Sequence, residues 1–248
     1  MLNDHFPPVA PVDFRMSAPT PTDLTPPSAA HAPNEAELLL TTAEAYQLYA
    51  GSDAAHDFDH ILRVTRLAEQ IARTEQADVA VVRLAALLHD VPVPEAEHDP
   101  DTRRKHHLAA ADFARQFLTA RGLGTERVAN VVHCIEAHRF RDQSIQPATL
   151  EAQCLYDADK LDSIGAIGVA RAYAYAGRYG SRLWTTPVLA IPPQEQRPTG
   201  ADYTPVHEFV YKLQQLMATL HTDTARQIGR QRHTFMVAFF SQLDAELQ

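Results

Sequence analysis

The chain has 248 residues, 45% hydrophobic and 21% charged, enough apolar material for one sizeable core and too much for a disordered or fibrous protein. Its formal net charge of −9 argues against a duplex nucleic-acid partner, because such binding needs clustered Lys and Arg to neutralise phosphates. A small anionic ligand stays compatible, since basic groups at short range outweigh screened distant charge.

Cys134 and Cys154 form no CxxC pair and no disulfide framework, which suits a reducing compartment. No stretch approaches the ~20 apolar residues of a spanning helix, and no basic-then-apolar leader opens the chain. The expectation is a cytoplasmic protein that does not engage a membrane. Residues 1–34 hold eight of the seventeen prolines without helical or strand period. They are expected to be a disordered leader before one helical domain at 35–248.

From Asn34 onward the pattern is helical. Over Asp59 to Thr74, Ile61, Val64, Leu67, Ala68 and Ile71 recur at three- and four-residue intervals between charged positions, which predicts an amphipathic helix. Asp78 is placed to cap the next helix, whose Val81, Val82, Leu84, Ala85, Leu87 and Leu88 are apolar almost all round, so it belongs at the centre. Pro92 and Pro94 end it near His89-Asp90. Further helices are expected over His107 to Arg121, Thr125 to His138, Leu150 to Asp162, Ile164 to Tyr179, Val206 to Leu220 and Thr222 to Ala245. Gly122 and Gly124 stop the first of these. Ser181 to Pro205 carries five prolines and reads as a long loop of the kind that often covers a site. No run of alternating strands appears, so the predicted class is all-α, a single helical bundle.

Imidazole and carboxylate side chains that converge on one point suit Mn, Fe, Co, Ni or Zn and leave positions for water. Adjacent helical residues point about 100° apart, so His89 and Asp90 can share an ion only where the helix ends. A His-Asp dipeptide alone is weak evidence, and His56-Asp57 is a second one here. The ordered set is more specific: His60 opening an amphipathic helix as H-I-L-R-V, then A-A-L-L-H-D at 85–90, then D-A-D-K-L-D at 157–162.

This set resembles the HD-domain phosphohydrolase superfamily, in which a His, a His-Asp pair and a distant Asp ligate metal within a helical bundle. The resemblance implies that His60, His89, Asp90 and Asp159 hold one divalent ion (Mn, Fe, Co, Ni, Mg or Zn), Asp159 being favoured over Asp157 and Asp162 because it directly precedes Lys160. Thr149-Leu-Glu-Ala, Ile164-Gly-Ala-Ile-Gly-Val-Ala-Arg and Arg232-His233 look like one bacterial branch that includes enzymes acting on nucleoside phosphates. The likeness runs over roughly residues 40 to 246.

Such an ion lowers the pKa of water and polarises a phosphoryl oxygen, so no protein nucleophile is required. The chain accordingly shows neither a G-x-S-x-G elbow nor a P-loop. Phosphoryl transfer also needs cations at the non-bridging oxygens. Lys160, Arg63 and His107, which follows the basic run Arg103-Arg104-Lys105, are the candidates, although such a run is equally at home in a solvated loop. Asp162 can orient a ligand or a water, and His138 can donate a proton to the leaving group. His133 lies five residues before His138, a poor spacing for one helix face, and His56 and His207 receive no role. The expected function is hydrolysis of a nucleotide or similar small phosphorylated metabolite, such as a nucleoside triphosphate cut to monophosphate and pyrophosphate. The alternatives are a di-iron oxygenase that recruits His107 with His133 or His138, and a non-catalytic nucleotide sensor.

Overall fold

A computed structural model of the chain describes residues 35–49, 58–92, 106–139 and 145–247. The proline-rich leader, His56-Asp57 and the run Arg103-Arg104-Lys105 lie outside the described residues. The described residues form an all-α bundle: α1 (Glu35–Leu39), α2 (Thr42–Leu48), α3 (Phe58–Glu75), α4 (Val79–Leu88), α5 (His106–Ala120), α6 (Thr125–Ala137), α7 (Leu150–Asp162), α8 (Gly165–Arg178), α9 (Pro205–Glu208), α10 (Gln214–Leu216) and α11 (Asp223–Leu247).

The apolar stripe of α3 is buried through Ile61, Val64, Ala68 and Ile71, and α4 buries Val81, Val82 and every residue from Leu84 to Leu88. With α6 and α7 they make the centre of the bundle. A polar network pins the ends of these helices far from His89. Asp78 caps α4 by accepting from Ala80 N and Val81 N, and Arg127 of α6 grips its carboxylate in turn. Thr149 caps α7 and donates to Asn130, while Glu151 accepts from Asp78 N and from Asn130. The Thr149-Leu-Glu-Ala segment therefore fixes three helices at one end, and their other ends carry the chemistry.

Two local expectations are corrected. Gly122 ends α5 with φ +83, but Gly124 is the N-cap of α6, not part of that stop. The helix expected over Val206 to Leu220 is broken into α9, a π turn at Phe209–Leu213, α10 and a 3-10 turn at Met217–Thr219. Both ends of this segment are fixed by contacts that sequence periodicity does not register. At its start His207 Nδ1 accepts from Thr204 N at 3.1 Å, and Phe209 stacks on Phe240 at 4.3 Å. At its end Leu220 lies so close to α11 that a Cβ on Gly229 would stand 2.6 Å from its Cδ1. One wide and one tight turn absorb the mismatch.

Between α8 and α9 the chain makes three short 3-10 turns. Asp244 of α11 holds this segment by accepting from Trp184 Nε1 and Val188 N, each at 2.8 Å.

Candidate metal centre

His60 sits in the first turn of α3, and His89 and Asp90 follow the last residue of α4. The helix α4 is packed on all sides and ends there, so the chain can turn Asp90 toward His89. One ligand atom from each of His60, His89 and Asp90 lies within 4.8 Å of the others. His89 is fully buried, and its Nδ1–H donates to the Ala86 carbonyl at 2.8 Å. That bond leaves Nε2 as the lone-pair nitrogen, and Nε2 has no hydrogen-bond partner. A buried imidazole acceptor without a donor is costly unless a cation meets it. Two imidazoles and a carboxylate at this spacing are a donor set that suits a divalent transition metal, and the residues present fit such an ion.

The three aspartates of α7 have different tasks. Asp157 accepts from His221 N, Thr222 N and Thr222 Oγ1 at 2.7–2.8 Å, so it caps the start of α11. Asp159 places Oδ1 3.5 Å from His60 Nε2 and pairs with Lys160 through Oδ2. Asp162 accepts from His60 Nδ1 at 2.7 Å, from Arg63 through Nε and Nη2, and from Arg171 at 3.1 Å. Arg63 thus faces Asp162 with two of its donors. Arg171, which the sequence did not single out, joins it. Lys160 is buried beside Asp159, with its ammonium 4.9 Å over the Tyr156 ring.

The end of α7 is itself held from α11. Arg232 donates to the Leu161 carbonyl, and its aliphatic stem packs where Gly165 (φ +76) has no Cβ. The Ile164-Gly segment and Arg232 therefore act together to fix the helix terminus that carries Asp162.

The charges are interlocked. Burial disfavours the charged form of His60, but its bonds to Asp159 and Asp162 outweigh this and raise its pKa to about 9. Burial pushes His89 down to about 4, so that ring is neutral and suited to ligation. Asp90 is opposed by burial, yet His89, His106 and His138 hold it well below the usual carboxylate range. Burial likewise opposes ionisation of Asp159, and Lys160 and His60 overcome it. For Asp162, His60 and Arg63 outweigh burial and bring the value to about 2. The carboxylates stay ionised, and a proton on His60 is the kind a ligand gives up when a cation binds.

A second group adjoins the first. Asp90 Oδ1 lies 3.3 Å from His106 Nε2 and 3.6 Å from His138 Nε2, and the three residues can offer ligand atoms within 4.8 Å of one another. His138 is held as His89 is, by Nδ1–H donating to the Ile135 carbonyl. His107 is buried with its ring 6.3 Å from that of His138. The residue of this pair that meets Asp90 is its neighbour His106. The buried face of α5 runs through His107, Ala110, Ala111, Ala114 and Leu118, which puts His107 in line with the core and His106 at its edge, toward the cleft. The helix begins at His106 and not at the expected His107, and the apolar period from Ala110 to Leu118 is the sequence signal that separates the two histidines. His133 stands apart, since its Nε2 accepts from Ala148 N at 3.0 Å.

Comparison with known proteins bears directly on this geometry. Residues 57–164 match the HD domain family. Over 216 residues the chain is 33% identical to the uncharacterized protein YpgQ of Bacillus subtilis, covering 86% of this chain and 94% of the relative. The chain belongs to the HD-domain superfamily. The crystal structure of YpgQ in complex with ADP is similar to this HD-domain protein at a TM-score of 0.63 with 31% identity, covering 85% and 94% of the two chains. A Lactobacillus plantarum protein is similar at 0.65 with 30% identity over 86% and 97%. An HD-superfamily hydrolase of Bacillus thuringiensis is similar at 0.63 with 26% identity over 85% and 96%. No helix among the described residues is long and apolar enough to cross a membrane.

Proposed function

We propose that this HD-domain protein hydrolyses a nucleotide or a similar small phosphorylated metabolite at a divalent metal ion held by His60, His89, Asp90 and Asp159. The observation that carries the reading is the buried His89 Nε2, without a hydrogen-bond partner and aimed into a cluster with His60 and Asp90. Such an ion supplies an activated water and polarises the phosphoryl oxygen. Asp162 keeps His60 in the tautomer whose Nε2 faces the cluster, and Arg63 and Arg171 keep Asp162 in place. Lys160 neutralises Asp159 and brings a cation toward the non-bridging oxygens. In this reading His138, whose Nε2 is 3.6 Å from Asp90, passes a proton to the leaving oxygen. The YpgQ complex with ADP supports a nucleotide as the substrate class, and cleavage of a triphosphate to monophosphate and pyrophosphate is the reaction to test first.

The proximity of Asp90 to His106 and His138 favours a second reading, in which Asp90 bridges two ions. Metal analysis separates the two: one equivalent per chain supports the first, and two equivalents, falling to one in His106→Ala, support the second. Two irons with oxygen consumption would move the protein to the oxygenase class. The functional test is phosphate or pyrophosphate release from a panel of nucleoside mono-, di- and triphosphates by metal-supplemented protein. Activity that is lost in His89→Ala at unchanged helical content is expected; equal activity in a metal-loaded His89→Ala protein would end the hydrolase reading.

A further inference from the structure

The last turn of α4 has to satisfy its backbone without help from water. A helix leaves its final carbonyls without intrahelical donors, and Ala86, Leu87 and Leu88 are all wholly buried, so donors from the protein must serve them. The Ala86 carbonyl accepts from His89 Nδ1 at 2.8 Å, and the Leu88 carbonyl accepts from Val91 N at 3.3 Å. Between them, the Leu87 carbonyl accepts at 3.0 Å from the hydroxyl of Tyr49, the residue that ends α2.

In an uninterrupted helix the Leu87 carbonyl pairs with Val91 N, four residues on. Val91 N bonds the nearer Leu88 carbonyl, and the phenol takes the vacated place at Leu87. The Asp90 backbone amide meets the same phenol oxygen. One hydroxyl therefore stands where the chain leaves the helical path, between His89 and Asp90. Adjacent helical residues diverge by about 100°, and the departure from the helix lets Asp90 Oδ2 come to 3.6 Å from His89 Nε2. The Tyr49 ring, 4% exposed, also packs against Phe58 at 5.4 Å. Phe58 opens α3 two residues before His60, so one side chain joins the helix start that carries His60 to the helix end that carries His89 and Asp90.

We infer that Tyr49 is a positioning residue of the metal centre: its hydroxyl, by holding the Leu87 carbonyl, ends α4 in the conformation that turns Asp90 toward His89. The inference rests on the metal-centre reading above and assigns Tyr49 no contact with ion or substrate. Full-length protein stripped of metal and titrated with Mn²⁺, with binding read by electron paramagnetic resonance, tests it. Tyr49→Phe keeps the ring on Phe58 but deletes the donor, which leaves the Leu87 carbonyl to draw Val91 N back and wind Asp90 away from His89. Mn²⁺ affinity is expected to fall about 10–100-fold, the scale for loss of an orienting partner. Tyr49→4-aminophenylalanine puts an N–H donor in the same place and should bring the affinity back close to that of wild type. Asp78→Ala uncaps the same helix at its other end. It is the control for lost stability alone, and it should lower Tm with Mn²⁺ affinity unchanged. Undiminished affinity in Tyr49→Phe, an equal fall in Asp78→Ala, or a folded 4-aminophenylalanine variant that binds no better than Tyr49→Phe overturns the inference. Wild-type protein that takes up no Mn²⁺ ends the metal reading itself, so the two failures are distinct.

Discussion

Asp162→Asn tests whether the geometry of α7 is there for the metal centre or only for the fold. The wild-type carboxylate, with its side chain 4% exposed, accepts from His60, twice from Arg63, and from Arg171. Asparagine keeps the shape but removes the charge and replaces one acceptor oxygen by a donor. The two arginines are 35% and 44% exposed, so water recovers much of their loss. The bond to His60 is buried and is not recovered. A charge-assisted hydrogen bond contributes ~1.5–3 kcal/mol, so the expected loss of stability is about 2–3 kcal/mol by urea denaturation. The amide can also present its N–H to His60 Nδ1, which favours the tautomer with the proton on Nε2, the nitrogen that faces Asp159 and the cluster. Loss of such an orienting partner typically costs ~10–100-fold in metal affinity, to be read by titration with Mn²⁺. Asp157→Asn is the control on the same helix. It uncaps α11, and it should lower stability by a similar amount with metal affinity unchanged. If Asp162→Asn loses stability while binding metal within twofold of wild type, the positioning role is wrong.

Three further outcomes follow from other parts of the bundle. Gly165→Ala places a Cβ at φ +76 and 2.9 Å from Arg232 Cγ. The backbone strain alone is about 1–2 kcal/mol, and Tm should fall by about 2–4 °C for each kcal/mol in a chain of this size; an unchanged Tm would contradict the Arg232 packing. Burial raises the thiol of Cys154 to about 12 and that of Cys134 further still, so a thiol-specific chromogenic reagent should leave both unmodified in native protein and titrate two thiols on unfolding. A rapid native reaction would place one of them at the surface. His138→Gln, which removes the acid–base group but keeps a polar side chain beside Asp90, should lower kcat about 10²–10⁴-fold with little change in KM if that ring serves the leaving group. A rise in KM alone would make it a binding residue.

Much of this molecule is legible in its residues because the signals are local. The three-and-four spacing of α3, the all-round apolar α4 and the Asp78 cap follow from 3.6-residue periodicity and backbone hydrogen bonding, and they put His60 in the first turn of α3 and His89 and Asp90 just past the end of α4. The class, all-α, follows from the same regularity. What the residues leave open depends on partners distant in the chain. Asp157, Asp159 and Asp162 are nearly equivalent in sequence, and only the packing of α7 against α3 and α11 gives one to a helix cap, one to a place 3.5 Å from His60 Nε2 and one to a hydrogen bond with His60 Nδ1. Arg63 turns to a carboxylate 99 residues away, and Arg171 joins it from a helix with no catalytic motif. His106, not His107, meets Asp90 because the burial of one helix face selects between neighbours. Periodicity therefore determines which segments are helices and which faces are apolar. The choice among chemically alike side chains belongs to tertiary structure, because it depends on what stands opposite each of them.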